Sequence, residues 1–128
     1  MVINLEGRGL VVVVGCGHQT VKKLVKRIEE TFDQPIYAMV GDFHFPVPKG
    51  RLSFFGVDAQ RYLASGDGPL APVGWREVDA FANWASANDV QLVLGGHDTS
   101  DDVLNALAAR PDITFMPLRV GERRCLSC

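Results

Sequence analysis

The chain has 128 residues, 47% of them hydrophobic and 22% charged, and a formal net charge of -2. That length suits one domain over residues 1–128 with one sizeable core, and the near-neutral balance excludes the strongly basic surface of a nucleic-acid binder. No apolar run reaches the roughly 20 residues of a membrane helix, and the start Met1 to Glu6 lacks a basic segment followed by an apolar core, so a cytoplasmic protein with no membrane partner is expected.

In chain order, Val2 to Leu5 and Leu10 to Val14 are apolar, β-branched runs split by Glu6-Gly7-Arg8-Gly9, the pattern of a hairpin. Val21, Leu24, Val25, Ile28 and Phe32 then recur at three- and four-residue spacing, which predicts a helix. Lys22, Lys23, Lys26 and Arg27 fall mostly off that stripe, as a solvated face does. Pro35 ends the pattern, and Ile36 to Val40 reads as a buried strand.

Periodicity fades from Gly41 to Gly74, a loop long enough to be functional or mobile, with a short helix admissible over Val57 to Ala64. Trp75, Val78, Phe81, Ala82 and Ala85 mark a second amphipathic helix, and Val90 to Leu94 a strand. Asp98, Thr99 or Ser100 is expected to cap a third helix carrying Val103, Leu104 and Leu107 and ending before Pro111. Ile113 to Met116 and Arg119 to Leu126 read as closing strands around Gly121. Strands alternating with helices make the class α/β.

Three histidines each follow the end of an apolar strand, in Gly15-Cys16-Gly17-His18, Gly41-Asp42-Phe43-His44 and Gly95-Gly96-His97-Asp98. Parallel strands bring their carboxyl ends to one edge of a sheet, where sites are commonly built. Imidazole nitrogens and carboxylate oxygens are zinc ligands and also accommodate iron or manganese. His18, Asp42, His44 and His97 are therefore the candidate ligands of a divalent metal, and Asp42 and His44 the candidate catalytic groups. For Asp98, the helix cap is preferred over a ligand or a ligand's hydrogen-bond partner. The cysteines at 16, 125 and 128 are too few for a disulfide framework, and Cys125-Leu-Ser-Cys128 at the chain end is given no role.

The segments 11–18 and 36–45 resemble the metallo-β-lactamase superfamily, and within it the dihydropterin ribofuranosyl-aminobenzene-phosphate synthase-like proteins with their Gly-Cys-Ser-His and Gly-Gly-Phe-His segments. Val93 to Thr99 resembles that subgroup's later His-Cys-Thr-Gly segment, and residues 46–74 look like an insertion. The resemblance implies a half-domain with a mixed sheet and flanking helices, equivalent to the C-terminal half of the full fold. It makes His18 and His97 metal ligands and leaves the third place to Asp42 or His44. The superfamily's other motif, His-x-His-x-Asp-His, is absent, since the chain contains no His-x-His.

Two functions follow as expectations. One is a metal-dependent, hydrolase-like protein with an incomplete ligand set, acting on a small-molecule substrate if active. The other is a noncatalytic half-domain whose uncovered sheet face pairs with a second copy, as a homodimer, or with a complementary N-terminal half. A dinucleotide-binding turn at Gly15-Cys16-Gly17 is disfavoured, because Thr20 stands where its third glycine is expected.

Overall fold

The computed structural model describes residues 1–63 and 71–126, so Ala64, the segment 64–70 within the expected long loop, and Cys128 of the terminal Cys-x-x-Cys lie outside the described residues. In chain order the elements are β1 (Val2–Leu5), β2 (Gly9–Val14), α1 (Val21–Glu29), β3 (Ile36–Gly41), β4 (Ser53–Phe54), β5 (Val57–Asp58), α2 (Ala59–Leu63), α3 (Trp75–Ala87), β6 (Gln91–Gly95), α4 (Asp101–Ala108) and β7 (Phe115–Leu118). The main sheet has the order β1-β2-β3-β6-β7. β1 and β2 form the expected antiparallel hairpin, while β2, β3, β6 and β7 run parallel, so the sheet is mixed.

Burial follows the periodicities. Val21, Val25 and Ile28 of α1, Val78, Phe81, Ala82 and Ala85 of α3, and Val103 and Leu107 of α4 are buried in one cluster with Leu10, Val12, Met39, Leu92 and Leu94 of the sheet. Alternation along a strand puts the intervening residues on the opposite face. There Val11 lies opposite Ala38, Val13 opposite Val40, and Val40 opposite Val93. Val11, Ala38 and Val93 are buried, yet stand outside the helix-packed cluster. Ile3 on the same face is 42% exposed. Among the described residues the buried positions of α1, α3 and α4 belong to the one cluster.

Three expectations are corrected. α1 ends at Glu29, so Phe32 lies beyond it and is 39% exposed. The strand after α4 is displaced by two residues, to Phe115–Leu118, where it is an edge strand and so accommodates Pro117. Residues 119–126 form no strand: Glu122 N–H turns back to the Arg119 carbonyl at 3.1 Å, Gly121 takes φ +83°, and Val120 is fully exposed. Arg119, Glu122, Arg123 and Arg124 make a poor strand because a buried pairing would desolvate charges. Within the long loop lie the β4–β5 ladder and α2. No described helix is long and apolar enough to cross a membrane.

Candidate metal centre

β2, β3 and β6 are adjacent and parallel, so the loops carrying His18, His44 and His97 leave the same edge of the sheet. Two glycines set how closely these loops approach. A Cβ on Gly41, which has φ +131°, would lie 1.9 Å from the Val14 carbonyl oxygen, and one on Gly17, with φ +64°, would lie 2.7 Å from the Phe43 Cα. Only glycine lets the backbones come this near. Backbone hydrogen bonds then tie the loops, from Asp42 N–H to the Gly15 carbonyl at 3.2 Å and from Ser100 N–H to the Phe45 carbonyl at 3.0 Å.

Asp42 is buried, at 6% exposed. Its Oδ1 accepts from His44 N–H at 3.1 Å and from the Thr99 hydroxyl at 2.6 Å. Its Oδ2 accepts from Asp98 N–H. Three donors therefore hold this carboxylate, and through it the loop of His44 is joined to the loop of Asp98. Phe43 between them packs on Phe81 of α3, with ring centroids 5.5 Å apart.

Asp98 occupies the centre of the cluster. Its Oδ2 is 4.0 Å from His18 Nε2, 3.9 Å from His44 Nδ1 and 3.8 Å from His97 Nε2. Gln60, from α2, donates its side-chain amide to Asp98 Oδ1. The expected cap role for Asp98 is thus corrected: Ser100 caps α4, its Oγ accepting from Val103 N–H at 3.2 Å. Asp98 Oδ2, with His97 beside it in sequence, is instead turned toward all three imidazoles.

His44 carries the decisive chemistry. Its side chain is 2% exposed, its φ is +54°, and its Nε2 lies 3.1 Å from the Gln60 carbonyl oxygen. A carbonyl only accepts, so Nε2 holds the ring proton and Nδ1 presents a bare lone pair. That Nδ1 is buried with no hydrogen-bond partner, and it faces the acceptor Oδ2 of Asp98. Two lone-pair groups in this relation can share a cation. Burial pushes the His44 pKa below its ordinary value; the backbone bond to Gln60 opposes the shift, His18 adds to it, and Asp98 and Asp42 oppose it. The neutral, ligating form is the one favoured. His18 and His97 are exposed at 51% and 77%, which leaves the solvent side of the cluster open.

Sequence reasoning passed over Cys16, whose thiol can reach within 4.8 Å of donor atoms of both His18 and Asp98. The signal was present in the Cys16-Gly17-His18 spacing. No comparable signal marks Gln60, which lies in the aperiodic loop. Beside His97 lies a cleft of about 1030 Å³ lined by Arg51, Asp101, Leu104, Phe115 and Arg119 among others.

No protein-family model matches the sequence, and no curated protein matches it. The structure is similar to the crystal structure of Tm1679, a metal-dependent hydrolase of the β-lactamase superfamily, with a TM-score of 0.65 and 20% identity. The chain has half of a metallo-β-lactamase-like fold. The match takes in 99% of this chain but only 40% of that protein's length. In this half-fold the helices lie on one face of the mixed sheet, and the His/Asp cluster sits at the carboxyl edge of its parallel strands.

Proposed function

We propose that the half-domain is a metal-dependent, hydrolase-like protein in which His18, His44, His97 and Asp98 hold one divalent ion, zinc before iron or manganese. The observation that carries this reading is the buried, unpartnered Nδ1 of His44 facing Asp98 Oδ2, with two further imidazoles at the same oxygen. Mixed nitrogen and oxygen donors suit such ions. A bound ion would supply Lewis acidity to polarise an ester, amide or phosphoester bond.

The chain's own residues account for the rest. Gln60 fixes the His44 tautomer through its carbonyl and orients Asp98 through its amide. Asp42 acts as a positioning residue, because its oxygens already serve three protein donors. The exposed His18 and His97 leave the approach open, and the cleft beside His97 is of a size to take a small-molecule substrate. Kinship with the metallo-β-lactamase superfamily is part of this proposal and is supported by the shared fold.

Elemental analysis of protein purified without chelator tests it. About one metal per chain is expected, lost in the His18→Ala, His97→Ala variant. A folded protein that stays metal-free after zinc, iron and manganese have each been offered would overturn the reading.

A second reading is favoured by the apolar second face of the sheet. In it the chain is a noncatalytic half-domain that keeps the cluster and pairs through the sheet face that carries the half-buried Val13 and Val40, with a second copy or with a complementary half. Light scattering separates the cases: a dimer that dissociates on Val13→Lys supports self-pairing, and a stable monomer argues against it.

A further inference from the structure

We propose that Cys16 is a further ligand of this centre, adding a thiolate to the His18, His44, His97 and Asp98 donors. The proposal rests on the metal-centre reading above and sharpens it. Its first observation is convergence: ligand atoms of Cys16, His18 and Asp98 all lie within 4.8 Å of one another. Tetrahedral bonds of roughly 2.0–2.3 Å put donor atoms about 3.5 Å apart, so the three need to close by about an ångström to share one ion. Cys16 and His18 are exposed, and their side chains can rotate by that much without repacking a core.

The second observation is independent of the thiol. His44 Nδ1 is buried and unpartnered, and lies 3.9 Å from Asp98 Oδ2. Cys16, by contrast, is exposed to solvent. Gly17 makes this arrangement attainable: it turns the chain at φ +64° against the Phe43 backbone, bringing Cys16 and His18, two residues apart, to the same carboxylate.

The chemical consequence is selectivity. Histidine and carboxylate donors alone accept hard ions such as manganese, whereas a thiolate biases a site toward zinc, cobalt and other thiophilic ions. On binding, the thiol proton goes to solvent and the sulfur lone pair forms the bond to the metal.

Cobalt(II) reports sulfur and nitrogen ligation separately. Reduced, chelator-treated Cys125→Ser, Cys128→Ser protein keeps Cys16 as its one thiol and would be titrated with cobalt(II) under anaerobic conditions. The expected spectrum has visible d–d bands and a near-ultraviolet thiolate-to-cobalt charge-transfer band. Adding Cys16→Ser should abolish the charge-transfer band, retain the d–d bands and weaken cobalt binding more than about tenfold, the lower end of what even a ligand's supporting partner contributes. Zinc should also protect Cys16 from alkylation in protein unaltered at residue 16, a readout that does not depend on the variant folding. Cobalt bound with d–d bands but no charge-transfer band would overturn the thiolate and leave the metal centre standing. Failure of the protein that keeps Cys16 to bind cobalt would overturn both.

Discussion

The floor and the rim of the strand-end site use similar residues but are held in different ways. In the floor, Asp42, Phe43, His44 and Thr99 are buried, and each polar group except His44 Nδ1 has its partner within the protein. At the rim, Cys16, His18 and His97 are exposed, and beside them the fold supplies nearness to Asp98. The contrast teaches that this chain spends its packing on orienting one buried imidazole and one carboxylate. The outer ligands are left free to adjust, an arrangement suited to a site that must admit a substrate.

The largest effect that would sharpen this contrast is expected from Phe43→Ala, which removes a ring that is 1% exposed and packed on Phe81. Urea unfolding should show a loss of about 3–5 kcal/mol. Asp42→Ala comes next, at roughly 3 kcal/mol, because the Thr99 hydroxyl and two backbone N–H groups lose their acceptor. It should also release metal, although Asp42 is proposed only to position the ligands. Metal retained at full stoichiometry would show that the His44 and Asp98 loops stay aligned without it.

Thr99→Val keeps shape and burial while deleting one hydrogen bond to a carboxylate, for an expected loss of about 1.5–3 kcal/mol. The rim should behave oppositely. In the presence of chelator, His18→Ala, His97→Ala should unfold within about 0.5 kcal/mol of the parent, as surface substitutions do. A loss comparable to that of Thr99→Val would break the division between floor and rim.

The smallest effect is expected remote from the site, where Arg110 holds the Asp112 carboxyl well below the usual carboxylate range. The folded state then binds this proton less readily than the unfolded chain. Its contribution is fully present above the ordinary value of 3.8 and is lost as pH falls through the folded value. Asp112→Asn should therefore flatten the acid limb of the stability profile slightly and leave metal content unchanged.

Much of this fold was legible in the chain itself. The stripe Val21, Val25, Ile28 predicts α1, and Val78, Phe81, Ala82, Ala85 predict α3, because a 3.6-residue period leaves one apolar side. The run before each Gly-x-x-His or Gly-Gly-His segment predicts a strand, and the parallel neighbours β2, β3 and β6 bring those histidines to one edge. The tail 119–126 misleads because its short apolar residues are interrupted by charges that only a missing or rejected partner strand can judge. Asp98 misleads for a related reason: its place three residues before α4 suits a cap, and the Ser100 hydroxyl holds that position instead.

The sequence by itself determined the element types, their buried sides and the three strand-end histidines, since those depend on local spacing and side-chain chemistry. The tertiary structure decided which oxygen the histidines surround, that Asp42 is engaged by protein donors, that Gln60 fixes the His44 tautomer, and that Cys16 stands beside His18 and Asp98. These relations join residues as far apart as 16 and 98. They follow from strand order and from how closely Gly17 and Gly41 let neighbouring backbones approach, quantities that no local pattern encodes.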